Sequence, residues 1–492
     1  MSVLSTCTLL KLDLQSLLRE KGLVIAALQD MPKELFPPVF IEAFTRGNPE
    51  VLKAMMLSYP FWCLLWEHWA LMHLRTQKSP HSPFEKITAK QRNRRTLEAL
   101  LEGLDMQLSQ KVHHRRWKLQ ELDWRNVHQD FWTGGPRAMK AAHSSAVSYE
   151  SHGKPGGTDK QPHLIIFANL RFKRWSSSCA TQDKVQLCLL KWVRERKASV
   201  HLCCEKVRIH FSDVFIILKH LRAVQLDSIH KLHVLSNWGW DSMKAFVLHV
   251  KKMKNLHTLH LLCESPEMFN SFEKNNWYSH ICAFHLGQLQ NLQEIVMDEV
   301  FFLNGTLHKW LRSQTTLQVL SLSCSPLKES DLKHLSQWGS TNQLKSLTLR
   351  CISVESFNPE TLHVLIDKLA ITVETLVLEQ CDLTDSQLLA ILSALRHCSW
   401  IKTFSCYWNH FSLGILQDLL RLSAALRHLS KALYPAPMEC YDSNDGGSFV
   451  HHDQATQVFA ELAYVLEDIR PSLSVLICTY CASCMFFKFY KL

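Results

Sequence analysis

The stretch VETLVLEQCDL (Val373–Leu383) repeats its spacing of apolar residues 28 residues later, in IKTFSCYWNHF (Ile401–Phe411). The two stretches share few identical residues, yet apolar side chains lie at the same offsets in both. Cys381 of the first stretch corresponds to Asn409 of the second. A spacing that recurs at a fixed period is the mark of a repeat architecture.

A six-residue unit, apolar-x-x-apolar-x-apolar, underlies the repeat and recurs from residue 229 onward. Its first apolar residues are Ile229, Leu256, Leu292, Leu317, Leu344, Val373, Ile401 and Leu426. Successive units begin 25 to 36 residues apart. All intervals but one fall within the roughly 20–29 residues of leucine-rich repeats. The exception, of 36 residues, indicates an insertion around Cys263–His280.

Each unit predicts a short strand with one buried side. Alternate residues of a strand point to the same side of a sheet. We therefore expect Leu376 and Leu378 to face the core and Val377 to face outward. Cys381 and Asn409 each come three residues after the last apolar strand residue. There they can turn inward and satisfy backbone groups that are left unpaired where the strand ends.

A helical run follows the strand. In TDSQLLAILSALRHC (Thr384–Cys398), Thr384 is placed as an N-cap, and Leu388, Leu392 and Leu395 have helical spacing. One strand-helix unit cannot cover its own apolar edge, so the units are expected to stack. The sequence therefore predicts an α/β fold: a leucine-rich-repeat solenoid shaped as a curved horseshoe, with a parallel sheet on the concave face, helices outside and an N-terminal helical cap.

Weaker units precede the regular repeats. CEKVRI (Cys204–Ile209) and LQELDW (Leu119–Trp124) carry the apolar pattern. Between them, Thr133–His163 is rich in Gly, Ser, Pro and Lys without periodicity, which is typical of a flexible loop. The predicted organisation is an N-terminal helical region (1–114, with a distinct segment at 14–44), a first degenerate repeat (115–132), the loop (133–163), the leucine-rich repeats (164–433), and a C-terminal cap with a Cys-containing tail (434–492).

The composition is that of a folded protein in a reducing compartment. The chain has 492 residues, of which 47% are hydrophobic and 20% charged. Its 17 cysteines are scattered, which favours reduced thiols over a disulfide framework and predicts a cytoplasmic, and also nuclear, location. We expect no signal peptide at the N-terminus. The most apolar segment, Ala54–Trp66, contains Pro60 and is too short to span a membrane.

The formal net charge of +10 reflects two basic clusters, Lys86–Arg95 and Lys111–Lys118. Such clusters can attract nucleic acid or acidic protein surfaces. The aromatic residues nearby do not interleave with the basic ones as a base-stacking platform requires. Solvated helix faces are therefore the preferred interpretation, and a nucleic-acid partner is not expected.

Signatures of catalysis and of cofactor binding are missing from the sequence. It contains no phosphate-binding loop, no nucleophile elbow and no H-E-x-x-H motif, so we expect no enzyme and no cofactor. Cys478, Cys481 and Cys484 have a spacing at which thiolates can converge on zinc, but a closed site needs a fourth ligand. Reduced thiols beside the apolar C-terminus are the preferred alternative.

Four stretches, together with the repeats, resemble the PRAME family (preferentially expressed antigen in melanoma), including its oogenesin-like members. They are Leu14–Phe44, Arg115–Trp132, Ala223–Val234 and Lys431–Asp442. The resemblance implies a leucine-rich-repeat protein without catalytic chemistry. It also implies a substrate receptor of a cullin-2 ubiquitin ligase that promotes proteasomal degradation, with effects on transcription, differentiation, apoptosis and proliferation.

The N-terminal segment is compatible with that role. Leu14, Leu18 and Gly22 are expected on one helical face, and MPKELFPPVF (Met31–Phe40) resembles a cullin-selecting box. By the resemblance, elongin B/C contacts fall on Leu14, Leu18 and Gly22, and cullin-2 contacts on Pro32, Leu35 and Phe36. Elongin-binding helices usually have Ala or Cys at the position of Gly22, and glycine weakens a helix by about 1 kcal/mol relative to alanine. An amphipathic helix that caps the solenoid is the structural alternative.

Two other functions remain open. The same concave surface could bind an unknown protein substrate without any ligase, as an interaction scaffold or a transcriptional corepressor. Two L-x-x-L-L stretches, Leu14–Leu18 and Leu416–Leu420, have the form that docks in nuclear-receptor grooves. Both also fit helices packed on the solenoid.

Overall fold

The computed structural model describes residues 16–65, 83–110, 117–125, 164–173, 184–263, 272–300, 303–311, 314, 316–441, 450, 452–469, 473–481 and 486–492. The loop predicted at Thr133–His163 lies outside these residues. The chain forms two compact units. The first comprises residues 1–207 and 216–229, and the second comprises residues 208–215 and 230–492.

The first unit combines helices with a parallel sheet. Its helices are α1 (Lys21–Ala27), α2 (Phe36–Arg46), α3 (Pro49–Leu57), α4 (Pro83–Ser109), α5 (Lys184–Glu195) and most of α6 (Val214–Leu221). Its strands are β1 (Cys63–Leu65), β2 (Glu121–Trp124), β3 (Leu164–Lys173), most of β4 (Val200–His210) and β5 (Val224–Gln225). Strands β1, β2 and β3 pair in parallel, with Leu64 beside Leu122 and Leu122 beside Ile166.

Helices α3 and α4 approach closely because glycine stands at the crossing. A Cβ atom on Gly103 would lie 2.7 Å from the Lys53 carbonyl oxygen and 2.8 Å from Met56 Cβ. Both distances are too short for real atoms, so only glycine permits this contact. Val51, Leu52, Met55 and Met56 of α3 are buried against Leu97, Leu100 and Leu104 of α4.

The second unit alternates strands and helices. Its strands are β6 (Lys231–Ser236), β7 (Thr258–Cys263), β8 (Glu294–Asp298), β9 (Val319–Ser323), β10 (Ser346–Arg350), β11 (Thr375–Glu379), β12 (Thr403–Ser405), β13 (Lys431–Pro435), β14 (Val475–Cys481) and β15 (Phe486–Lys491). Its helices are α7 (Trp240–Val250), α8 (Phe272–Leu286), α9 (Leu307–Leu311), α10 (Glu329–Gln337), α11 (Pro359–Leu369), α12 (Asp385–Leu395), α13 (Leu413–Ala425) and α14 (His452–Ile469).

Strands β6 to β14 pair in chain order and in parallel, and β15 is antiparallel to β14. The sheet is open. One row of paired core residues crosses seven of these strands and is 0–1% exposed throughout: Leu259, Ile295, Leu320, Leu347, Leu376, Phe404 and Ala432. The prediction of an α/β fold with a long parallel sheet is confirmed.

The predicted repeat anchors are buried, with one correction in register. Strand β12 pairs with β13 so that Phe404 lies beside Ala432. Leu429 therefore occupies the position that Ile401 holds one repeat earlier, and both are fully buried. The assignment of Leu426 as the anchor is wrong by three residues, because Leu426 is the C-cap of α13. A further parallel strand, β14, follows within the region expected to be a C-terminal cap.

The polar residue after each strand acts as expected. The Asn409 carboxamide donates to the carbonyl oxygens of Leu378 (2.8 Å) and Cys406 (2.7 Å). Its oxygen accepts hydrogen bonds from the backbone nitrogens of Cys381 (3.0 Å) and Leu383 (3.1 Å). One buried side chain thus satisfies four backbone groups from two adjacent repeats, which confirms its predicted inward orientation.

The helix predicted after β11 is also confirmed. The Thr384 hydroxyl accepts from the Gln387 backbone nitrogen, and the Gln387 side chain accepts from the Thr384 nitrogen, which together form a capping box. Leu376 and Leu378 face the core as expected. Val377 lies on the opposite side of the sheet from these leucines, as alternation requires, but it is covered there and is only 6% exposed.

One residue after each of five successive strands has a left-handed backbone. The five residues are Glu299, Cys324, Cys351, Gln380 and Trp408, with φ between 46° and 58°. Four of them extend the inter-strand ladder by one hydrogen bond each. For example, the Cys324 nitrogen donates to the Arg350 oxygen at 2.9 Å. No helix among the described residues is long and apolar enough to cross a membrane.

Candidate functional site

The residues predicted to bind elongin do not share one helix. Backbone hydrogen bonds from Arg19 and Glu20 to the residues three positions earlier form a turn, and Glu20 has the non-helical dihedrals φ −97° and ψ 74°. Helix α1 begins only at Lys21. The expectation of one helical face through Leu18 and Gly22 is therefore wrong. Leu14 lies outside the described residues.

Burial also separates these residues. Leu18 is 3% exposed and belongs to the core, whereas Gly22 is exposed, with no atom within 4 Å of the position where a Cβ would be. Val24 and Leu28 attach the inner side of the α1 segment to the protein and are 0% and 2% exposed. Of the predicted elongin contacts that the structure describes, only Gly22 is at the surface.

The outer side of α1 carries apolar residues that sequence reasoning did not assign to a site. Leu23 is 63% exposed and Ile25 is 38% exposed. Gly22 and Ala26, one helical turn apart, lie between them on the outer side of the helix and are also exposed. This side combines two large apolar side chains with a small-residue strip, which is a surface that a partner helix can approach closely.

Of the residues predicted to bind cullin, two are likewise exposed and one is buried. Pro32 precedes a short 3₁₀ helix, Lys33–Leu35, and is exposed, and Leu35 is 38% exposed. Phe36 is fully buried, and its ring meets the edges of Tyr59 and Phe61 at centroid distances of 5.6 and 6.3 Å. Phe36 therefore serves the core, and Pro32 and Leu35 remain as candidates for partner contact.

The second unit offers a different surface on the sheet face opposite to the buried leucine row. On this face lie the strand residues that alternate with the buried leucines, and the strand pairing aligns them in rows across the sheet. The middle row consists of His233, His260, Val296, Ser321, Thr348, Val377, Ser405 and Leu433. We call this surface the open sheet face. Six of these eight side chains are half-buried, and Val377 and Ser405 are buried.

Two polar clusters lie on the open sheet face. At one end, His260 Nε2 lies 3.1 Å from Glu294 Oε1, and the His233 ring lies 4.2 Å from that of His260. Farther along, Glu379 is 4% exposed, and its carboxylate accepts from Arg350 Nε and Ser405 Oγ, both at 2.5 Å. Charged and hydroxyl groups held in this way can orient a bound polypeptide.

An aromatic cluster adjoins the second polar group. Burial and the neighbouring Glu379 raise the pKa of Tyr407. The Tyr407 ring lies 5.9 Å from Phe487 and 6.0 Å from Phe489, which is 46% exposed. Trp408 stacks on Tyr480 at 5.1 Å and meets Phe487 at 4.6 Å. No pattern in the sequence indicated this cluster, because it depends on the pairing of β14 with β15.

Of the three thiols considered for zinc, the structure describes the side chain of Cys478. Cys478 is buried, and burial raises the pKa of its thiol to about 12, so the thiol stays protonated. The Cys481 side chain and Cys484 lie outside the described residues. Across the part of the chain that is described, no group of three or more His, Cys, Asp or Glu side chains is arranged to hold a metal ion.

The L-x-x-L-L stretch at Leu416–Leu420 belongs to the core. Leu416, Leu419 and Leu420 are each 1% exposed on the inner side of α13. A receptor groove needs these leucines at the surface. The structural alternative, a helix packed on the repeats, is therefore correct for this stretch. The other stretch, Leu14–Leu18, is only partly described, and its last leucine is buried.

Family models match most of the chain. One described as the PRAME N-terminal domain matches residues 6–80 and 78–132, and one described as the PRAME C-terminal domain matches residues 168–492. The chain belongs to the PRAME family. Human PRAME family member 12 is 36% identical over 492 residues, which cover 98% of this chain and 95% of the relative. Human PRAME family members 8 and 20 are 34% and 35% identical and cover similar shares.

The two PRAME family domains each include one of the candidate surfaces. The C-terminal family domain begins within β3 and includes every strand of the second unit. The N-terminal family domain includes helices α1 to α3 and the apolar side of α1. Both candidate surfaces, the outer side of α1 and the open sheet face, thus lie within segments that define the family.

Proposed function

We propose that this PRAME-family protein is a non-catalytic adaptor that acts as the substrate receptor of a cullin-2 ubiquitin ligase. The observation that carries the proposal is the outer side of α1, where exposed Leu23 and Ile25 flank Gly22 and Ala26. Large exposed apolar side chains beside small residues are suited to close helix contact with elongin. Leu35 is exposed nearby in sequence and is a candidate for the cullin contact.

The substrate-binding part of the proposal uses the open sheet face. Alternating strands and helices with an in-register row of buried leucines support a leucine-rich-repeat horseshoe, of which this face is the concave side. Exposed polar and aromatic side chains there would select a protein target for degradation in the cytoplasm or nucleus. Effects on transcription, differentiation, apoptosis and proliferation would follow from loss of the target.

Affinity purification of the full chain from mammalian cells tests the ligase. Gly22→Asp and Leu23→Asp place a charge on the outer side of α1 and should abolish co-purification of elongin and cullin-2. Leu35→Asp should reduce cullin-2 while elongin is retained. Ile371→Asp is the matched control, because Ile371 is 68% exposed and lies in the second unit. Unchanged melting temperatures for all variants would show that the losses are not due to unfolding.

A second function is favoured by the burial of Leu18 and Phe36. Because both side chains serve the core of the first unit, the N-terminal segment could be purely structural. The protein would then be a ligase-independent scaffold or transcriptional corepressor that uses the open sheet face. Wild-type protein that retains its target but brings down neither elongin nor cullin-2 would establish this alternative and overturn the ligase proposal.

A further inference from the structure

Two cysteines occupy equivalent positions in neighbouring repeats. Ser323 at the end of β9 pairs with Arg350 at the end of β10, and the next residue in each strand is a cysteine, Cys324 or Cys351. Both cysteines have left-handed φ angles, 46° and 52°. Paired strands lie about 4.8 Å apart, and a disulfide needs Cα atoms roughly 4.4–6.8 Å apart. The backbone therefore holds the two cysteines at a suitable separation.

The side chains of this pair also meet. Both thiols are free, and the Cys351 thiol lies close enough to Cys324 to raise the pKa of the Cys324 thiol. Cys351 is exposed and Cys324 is half-buried. The Cys351 thiol also donates to Gln380 Oε1 at 2.8 Å. Solvent thus reaches one sulfur directly, and the second sulfur lies beside it.

Ionisation of the Cys324 thiol is suppressed. Burial raises the pKa of Cys324 to about 12, and the hydrogen bond and charge of Cys351 contribute in the same direction. Cys324 therefore stays protonated at neutral pH. Because an oxidant must reach the sulfur, and Cys351 is exposed while Cys324 is half-buried, Cys351 is the sulfur that meets an oxidant first.

We propose that Cys324 and Cys351 are a redox modification site, at which a peroxide forms a reversible disulfide between two neighbouring repeats. The Cys351 thiol first releases its proton to solvent. The thiolate attacks one peroxide oxygen, the O–O bond breaks, and the leaving hydroxide takes up a proton, so that the products are a Cys351 sulfenic acid and one water. The Cys324 sulfur then attacks the Cys351 sulfur, the S–O bond breaks, and the hydroxide leaves with the Cys324 proton as a second water. The two thiols lose two electrons in total, and a thiol reductant returns them.

Neighbouring cysteines lack this combination of contact and access. Cys381 is 1% exposed, and its thiol points to the carbonyl oxygens of Leu349 and Glu379. Cys406 is fully buried. Burial raises the pKa of both thiols. Oxidation should therefore select Cys324 and Cys351 while these thiols remain reduced. This inference is independent of any ligase function.

Mass spectrometry of the intact full chain tests the site. The reduced protein is treated with a small excess of hydrogen peroxide, remaining thiols are alkylated, and the protein is digested with trypsin without reductant. We expect one linked pair of peptides, residues 313–328 with residues 351–368. The link should disappear after treatment with a thiol reductant. The mass of the linked pair should be about 2 Da lower than the summed masses of the two reduced peptides, because disulfide formation removes two hydrogens.

Two single variants separate the steps. Cys324→Ser should give no link and leave a sulfenic acid at Cys351 that dimedone traps. Cys351→Ser should give neither the link nor a dimedone adduct at Cys324. Cys203→Ser is the matched control, because Cys203 is half-buried and its thiol contacts Gln225. That variant should form the link as the wild-type protein does.

Three results would overturn the proposal. One is wild-type protein whose Cys324 and Cys351 are both alkylated after peroxide treatment. The second is a disulfide from Cys351 to any other cysteine. The third is a link that forms only after the protein is unfolded in urea, since the native backbone would then not be what brings the thiols together.

Discussion

Asn409 Oδ1 lies 3.0 Å from the backbone nitrogen of Cys381, a residue of the preceding repeat 28 positions earlier in the chain. The same carboxamide donates to the Leu378 and Cys406 carbonyl oxygens, so one side chain joins two strand ends. Asn409 is 3% exposed, and water cannot replace it easily. This single residue fixes the stacking of two repeats at the point where both strands end.

The first prediction concerns that carboxamide. Asn409→Ala should reduce the free energy of unfolding by about 3 kcal/mol, because buried backbone groups lose their partners and each costs about 1–3 kcal/mol. His410→Ala, at the exposed neighbouring residue, is the control and should change it by less than about 0.5 kcal/mol. Thermal melting of both variants measures the difference. Equal melting temperatures would show that the hydrogen bonds contribute nothing.

The second prediction concerns the buried leucine row. Leu376→Ala should cost about 2–5 kcal/mol, as truncations of buried leucines do. Val377 is not a suitable control, since it is itself buried. Ile371→Ala, at a side chain that is 68% exposed, should cost less than about 0.5 kcal/mol. Urea unfolding compares the variants, and a cost for Ile371→Ala as large as that for Leu376→Ala would refute the assigned core.

The third prediction concerns the α3–α4 crossing. Gly103→Ala should lower stability by about 1–3 kcal/mol, because the new methyl group meets the Lys53 carbonyl and Met56 Cβ and forces the helices apart. Gly414→Ala in α13 is the control, because no atom lies within 4 Å of its Cβ position. There, alanine should raise stability by about 0.5–1 kcal/mol. Opposite changes in melting temperature would confirm the close approach, and a rise in both would contradict it.

The fourth prediction concerns alkaline pH. Burial raises the pKa values of Cys263, Cys282 and Cys398 from 9.0 to about 12 in the folded protein. Their contribution to stability is fully present below pH 9. It is lost as pH rises from 9 to 12, because unfolded thiols lose protons that folded thiols keep. Each thiol contributes a slope of about 1.4 kcal/mol per pH unit in that range.

Melting temperatures under reducing conditions from pH 8 to pH 11 check this prediction. Cys282→Ala should lower stability at pH 8 because it creates a small cavity, but it should make the decline above pH 9 shallower. Ile371→Ala, at an exposed side chain that has no titrating group, is the control and should leave the decline above pH 9 unchanged. A decline as steep in the variant as in the wild-type protein would show that this thiol ionises in the folded state.

Much of the second unit could be predicted from spacing alone. The anchors from Leu256 to Ile401 are buried, and Thr384, Cys381 and Asn409 have the predicted local roles. These features are local: each depends on residues a few positions away and on the same position one repeat along. The error at Leu426 arose because a helix C-cap leucine mimics the spacing of a strand anchor.

The candidate site was harder to predict, because exposure is not a local property. The pattern of Leu14, Leu18 and Gly22 fits a helix, but the turn before Lys21 breaks it, and tertiary packing decides that Leu18 is buried while Leu23 is exposed. Phe36 has an aromatic partner, Tyr59, that is 23 residues away. No short-range pattern contains that information.

The left-handed residues that follow five successive strands have a wider consequence. Their backbone is fixed by the ladder, at a cost of roughly 1–2 kcal/mol for each non-glycine residue, yet none of their side chains is buried. They therefore form a row of adjacent side chains, one from each repeat, that can be substituted without changing the fold. Where two adjacent residues of this row are cysteines, as at Cys324 and Cys351, the pair can undergo redox chemistry. Charged or aromatic residues at other adjacent positions would form ion pairs or stacked rings. New binding specificity can therefore evolve here by single substitutions on an unchanged scaffold.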